Sequence, residues 1–188
     1  EGKIPIAGYY EKPKQRHYYD WDALIAKIQK HGVRHVLTTT VAPTGTLSML
    51  ADCSNGMEPT FALVFEKRVT VGRFFYTNKI FEEVLRENGL YSEELLAKVA
   101  DNYGSVKGID EIPEWIQNIF VTAMDIHWTY HLMAQAVWQD WIGNAIAKTI
   151  NMPNDVSAED VKAAYLLAHE LGLKGITVYR DGSRHKQV

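Results

Sequence analysis

A helix, a glycine and a strand-like run follow one another near both ends of this chain, with more than a hundred residues between the two units. In the first unit, Asp20 is a good helix N-cap, and Trp21, Leu24, Ile25 and Ile28 fall at helical spacing to form one apolar stripe. Gly32 suits the helix stop. Residues 33–41 are rich in β-branched side chains and read as a strand, which ends at Ala42-Pro43 because proline removes a ladder donor. In the second unit, Ser157 caps a helix over 158–171, with Val161, Ala164, Tyr165 and Ala168 on one face. Gly172 ends that helix, and residues 175–179 read as a second strand. This order is the pattern of an α/β sheet or part of an α/β barrel. Two strong strands do not make a complete barrel.

The intervening sequence is mostly helical. Residues 61–65 and 69–75 read as a β-hairpin or two edge strands. Asn78 caps a helix carrying Ile80, Phe81, Val84 and Leu85, which stops at Asn88-Gly89. Ser92 caps the next helix, carrying Leu95, Leu96 and Val99, which stops near Gly104. Pro113 suits the first turn of a short helix over 114–120. The densest periodic stretch predicts one long, mostly buried helix over 129–150, stopped by Pro153. Residues 1–19, with Pro5, Gly8, Pro13 and four tyrosines, read as an extended arm, and residues 20–188 as the folded part.

Composition excludes several function classes. Lys+Arg is 20 and Asp+Glu is 23, a net charge of -3, so the positive excess of a nucleic-acid binder is missing and no nucleic-acid partner is expected. No apolar run approaches the roughly 20 residues of a membrane span, and the first ten residues hold no signal-peptide core. A cytoplasmic protein is expected. The one cysteine, Cys53, excludes an intrachain disulfide framework and a Cys-rich zinc site, and it fits a reducing compartment.

The segment TTTVAPTGTLSMLADCSNGMEP, residues 38–59, is the most informative for chemistry. A strand runs out into Pro43, Thr44, Gly45, Thr46, Leu47 and Ser48. Gly45 permits close backbone approach, and Thr44, Thr46 and Ser48 bring hydroxyls. A helical turn starting here would aim free N–H groups and roughly half a positive charge at one spot, which suits a phosphate. The same residues also suit an ordinary turn with a Thr/Ser cap. The Walker pattern is absent. Glu58 is open to two readings, an acid or base and a carboxylate binding nearby backbone N–H groups. Cys53 has no local histidine to activate it and reads as inert. His131, Gln135 and Gln139 lie four apart and predict a buried hydrogen-bonding column. His127 and His131 are also at i, i+4, but without the HExxH glutamate or a third ligand, so no metal is expected. The tail Arg180-Asp181-Gly182-Ser183-Arg184 is either a loop at a site mouth with two arginines for an anion or a solvated turn.

Three segments together resemble a known family. VAPTGTLSMLADCSNGMEP resembles the phosphate-loop region of ribonucleotide reductases, above all the adenosylcobalamin-dependent class II enzymes. HLMAQAVWQ is similar to the helix that follows. AKTINMP with SAEDVKAAYLLAHELGLKGITVYRDGSR is similar to the closing helix and strand of the same catalytic subunit. The resemblance runs from about Trp21 to Arg184. It implies the C-terminal portion of a ten-stranded α/β barrel, incomplete without a partner chain. It implies that Ala42, Pro43, Thr44, Gly45, Thr46, Leu47 and Ser48 hold the substrate diphosphate.

The resemblance is partial in an instructive way. The family's radical cysteine sits in an Asn-x-Cys-x-Glu pattern that this sequence lacks, and one cysteine cannot form the family's redox pair. No catalytic residue is therefore assigned here. The expectation is a class II-like component that, with a larger catalytic ribonucleotide reductase chain, reduces ribonucleoside di- or triphosphates. Adenosylcobalamin would be bound mainly by that partner. The rival expectation is a non-catalytic accessory or assembly subunit that retains the fold.

Overall fold

The computed structural model describes residues 20–51, 53–69 and 72–183. The arm expected over 1–19 and Arg184 lie outside the described residues.

Helix α1 spans Trp21–His31 as the spacing predicts. Asp20 accepts from the Ala23 N–H at 2.9 Å, and Gly32, at φ +71°, returns its own N–H to Ile28. No residue of α1 is buried, so its apolar stripe stays exposed. The strand expected over 33–41 does not form. The backbone bends there, and Val36 is 94% exposed. A strand needs a neighbouring backbone, and among the described residues this segment finds one only at its end, where the Thr39 carbonyl accepts from the Asn144 N–H and Val41 makes an isolated parallel bridge with Ile146. Helix α2, Gly45–Ala51, follows at once.

The expected hairpin is present, shifted by about three residues. Strands β1, Val64–Val69, and β2, Gly72–Thr77, pair antiparallel, with Val64 opposite Thr77 and Val69 opposite Gly72. Helices α3, Lys79–Glu87, and α4, Glu93–Asp101, begin where the caps predict. The Asn78 side chain accepts from the Phe81 N–H, and Ser92 from the Leu95 N–H, each at 3.1 Å. Helix α5, Glu114–Ile119, starts directly after Pro113. Phe81, Leu85, Leu96, Val99, Ile112 and Ile116 close one core over β1, each of them at most 2% exposed. Burying each such side chain is worth about 1.5–3 kcal/mol.

The long helix expected over 129–150 is two elements. Helix α6 covers Trp128–Gln139 and strand β3 covers Thr149–Met152. Between them the chain turns through Gly143 and Asn144, and Gln139 Nε2 donates to the carbonyls of Ile142 and Asn144, both at 2.9 Å. The break is legible only in hindsight, because an apolar run has the same density in a buried helix and in a buried strand. Helix α7, Ala158–Glu170, opens with a reciprocal capping box between Ser157 and Asp160. It buries Ala164 and Ala168, while Tyr165 points outward at 52% exposure, against the expected one-sided face. Strand β4, Thr177–Arg180, then pairs parallel with β3, Ile150 opposite Val178.

The β3–α7–β4 unit is the parallel crossover that an α/β fold requires. Leu132 of α6, Ile150 and Met152 of β3, and Ala164 and Ala168 of α7 form its core. Among the described residues there are two two-stranded sheets and no closed barrel. No helix among them is long and apolar enough to cross a membrane.

Candidate functional site

The predicted loop turns sharply. Thr44 stands at φ +40°, a left-handed conformation that a β-branched residue rarely adopts. Its carbonyl accepts from the Ser48 N–H at 2.8 Å and opens α2. The first N–H groups of any helix lack intrahelical acceptors. Those of Gly45, Thr46 and Leu47 make no hydrogen bond among the described residues. A Cβ built on Gly45 would meet nothing within 4 Å, so the mouth of the turn is open. Thr46 and Leu47 are exposed, while the Ser48 hydroxyl turns inward and donates to the Gly45 carbonyl at 2.7 Å. The seven residues Ala42 to Ser48 therefore stand together in one turn. Ser48 serves the turn's own backbone.

The chain then folds back. The Cys53 N–H donates to the Ser48 carbonyl at 3.1 Å, and the Cys53 side chain is exposed. Asn55 Nδ2 donates to the Pro43 carbonyl at 3.3 Å, and the Glu58 N–H to the Asn55 carbonyl at 3.2 Å. Gly56, at φ +50°, lies beside the Ala42 carbonyl, 3.6 Å from where its Cβ would stand.

Glu58 ends this return in a polar cluster that no local sequence pattern announces. Its Oε1 accepts from the Thr149 N–H, and its Oε2 from Lys148 Nζ, each at 2.6 Å. Of the two readings open to Glu58, the structure supports the binding of backbone N–H. Lys148 is fully buried, its side chain 1% exposed. Its three ammonium protons have three acceptors: Glu58, the Thr149 carbonyl at 3.0 Å, and His131 Nδ1 at 2.9 Å.

The hydrogen bonds fix the state of His131. Nε2 faces the Ala123 carbonyl at 3.0 Å, and a carbonyl only accepts, so Nε2 carries the proton. Nδ1 faces an ammonium, which only donates, so Nδ1 is bare and the ring is neutral. Burial, followed by the Lys148 charge, holds the His131 pKa below its usual value.

With both ring nitrogens engaged, His131 has none to give a metal. His127 is the N-cap of α6, its Nδ1 facing the Thr129 N–H and hydroxyl. Among the described residues no group of three or more His, Cys, Asp or Glu could hold a metal ion. The His131–Gln135–Gln139 column is buried, as its spacing predicts. Gln135 Nε2 donates to the Gly175 carbonyl at 2.8 Å and ties α6 to the approach of β4. Arg180, at the end of β4, donates from Nε to the Asn154 carbonyl at 3.0 Å, in the turn that follows β3.

The family model "Ribonucleotide reductase, barrel domain" matches residues 1–179. A vitamin B12-dependent ribonucleoside-diphosphate reductase of Thermoplasma acidophilum is 45% identical over 163 residues, which cover 85% of this chain and 21% of that protein. A Mycobacterium tuberculosis protein of the same name is 39% identical, over 82% of this chain and 22% of its own length. Among solved structures, the Actinobacillus ureae class Id ribonucleotide reductase alpha subunit superposes with a TM-score of 0.69 at 27% identity, covering 82% of this chain and 28% of that one. The chain thus spans about a fifth of the length of the curated relatives it matches. On the family match over nearly its whole length, the chain belongs to the ribonucleotide reductase family, as part of its barrel domain.

Proposed function

We propose that this chain works with a larger reductase polypeptide to convert ribonucleoside diphosphates to deoxyribonucleotides, and that loop 42–48 holds the substrate diphosphate. The observation that carries this reading is the left-handed Thr44 in front of three unpaired N–H groups at an open, glycine-containing turn. Such a turn concentrates donors and positive potential where an anion is to be held. Backbone strain at one residue fits a site held in place by its surroundings. The relatives' names supply the substrate class, a ribonucleoside diphosphate.

In this reading the chain binds and orients. Gly45, Thr46 and Leu47 offer N–H groups, and Thr44 and Thr46 offer hydroxyls. Holding the diphosphate fixes the ribose against chemistry supplied by the larger polypeptide, a proximity effect rather than acid–base catalysis. The described part, residues 20–183, forms one section of the barrel, and the larger polypeptide completes the ten strands.

The relatives are named for vitamin B12. A corrin does not fit the cleft of about 310 Å³ that Val156, Ser157, Ala158, Val161 and Arg180 line, which is at the small end even for drug-sized ligands. In this reading adenosylcobalamin is bound mainly by the larger polypeptide, and none of the roles given to this chain's residues runs through it. A purely accessory role is not favoured, because the relatives are reductases across this region.

The test is Thr46→Glu in the assembled reductase. A carboxylate at the turn repels the diphosphate, so affinity for cytidine diphosphate falls at least tenfold, about 1.4 kcal/mol or more, with assembly intact. Unchanged affinity removes the loop from the binding site.

A further inference from the structure

Two stems leave the loop 42–48, and both are fastened to the same short stretch of chain. On the entering side, the Thr39 carbonyl accepts from the Asn144 N–H at 3.1 Å, and the Val41 carbonyl from the Ala147 N–H at 3.0 Å. On the leaving side, Glu58 binds the Thr149 N–H and Lys148 Nζ. The stems are also tied to each other, by Asn55 to the Pro43 carbonyl and by Gly56 against Ala42. Without Glu58, the leaving stem would keep its tie to the entering stem and lose its fastening to β3.

The chemistry of that fastening is costly in a way that stability alone does not explain. Lys148 is fully buried and Glu58 is 20% exposed, and desolvating a charge to that extent offsets much of the pair's attraction. What it provides is direction. Lys148 has three protons aimed at three fixed acceptors on three different segments: Glu58 after the loop, Thr149 in β3 and His131 in α6. His131 is pinned in turn to the Ala123 carbonyl. Each member has one arrangement, so the leaving stem has one position.

We infer that Glu58 and Lys148 are positioning residues for the diphosphate loop: their ion pair sets where loop 42–48 stands relative to β3, and hence where the substrate phosphates are held. This rests on the reading of the loop proposed above. Neither residue touches substrate; both act through the backbone of the leaving stem.

The test uses the assembled reductase and two probes, cytidine diphosphate and cytidine, which differ only in the group the loop holds. The variant Glu58→Gln/Lys148→Met removes both charges together and so avoids stranding one. Its affinity for cytidine diphosphate should fall about tenfold, the scale of a small misplacement of a binding group, and its affinity for cytidine should stay unchanged. Glu58→Gln alone keeps the shape and an acceptor for the Thr149 N–H, and should show the same diphosphate-selective loss if the double variant does not fold. An equal loss for both probes would mean a general structural role and overturn the inference. Wild-type affinity for cytidine diphosphate in a folded variant would overturn it as well. If that result appears while Thr46→Glu still weakens binding, the loop reading stands and the positioning role falls. If Thr46→Glu also has no effect, the loop reading itself has failed.

Discussion

Glu58 and Lys148 are 90 residues apart in sequence, and their pairing is invisible until the chain has folded. Loop 42–48 differs in this respect: a proline, a glycine and three hydroxyl residues in six positions announce a turn with donors. His131 lies between these cases. Its helical spacing to Gln135 and Gln139 predicts burial, but only the folded chain shows Lys148 against Nδ1. That contact sets a pH dependence. Burial and the Lys148 charge depress the folded pKa of His131 below its usual 6.5. A group with a depressed folded pKa takes up more protons unfolded than folded, so its contribution is present above the unfolded pKa and is lost as pH falls. Thermal stability should therefore decline as the pH is lowered from about 6.5. His131→Gln keeps a donor for Ala123 and an acceptor for Lys148 without a titrating ring, so its melting temperature should vary less over the same range. Parallel slopes for the two proteins would show that His131 does not titrate in this window.

At the scale of elements, the sequence signals that held are the local ones. Asp20, Asn78, Ser92 and Ser157 each accept from the N–H three residues on, and each marks a helix start correctly. Ser157 is the strongest case, because Asp160 returns the bond to the Ser157 backbone, and these bonds to Ser157 hold the Asp160 carboxyl below its usual range. Ser157→Ala should cost about 1 kcal/mol of stability, read as a lower urea midpoint at constant slope. A change below a few tenths would mean that the cap adds nothing to α7. The elements that misled are those fixed by distant partners. Residues 33–41 carry a strand's composition, but among the described residues only the end of the segment, Thr39 and Val41, bonds to another stretch of backbone, that of residues 144–147. Residues 129–150 carry one helix's apolar density. Yet Gly143 and Asn144 turn the chain, and Thr149–Met152 joins β4, whose sequence lies beyond a whole helix. Pairing across that distance leaves no local trace in the sequence.

At the scale of the whole molecule, the described residues show an α/β crossover, a hairpin packed under helices, and one helix that is amphipathic with its apolar stripe exposed. Trp21, Leu24, Ile25 and Ile28 of α1 are between 40% and 56% exposed. The groups proposed to hold a diphosphate stand in one turn, while the one cysteine is exposed and unpaired. In the proposed function, binding sits here and the radical and reducing chemistry sits on the larger polypeptide. The most direct measurement is reconstitution. The larger reductase polypeptide is incubated with adenosylcobalamin, cytidine diphosphate and a dithiol reductant, with and without this chain, and deoxycytidine diphosphate is quantified. The predicted result is product only when this chain is present. Equal product formation in its absence would contradict the proposal that this chain supplies the substrate diphosphate site.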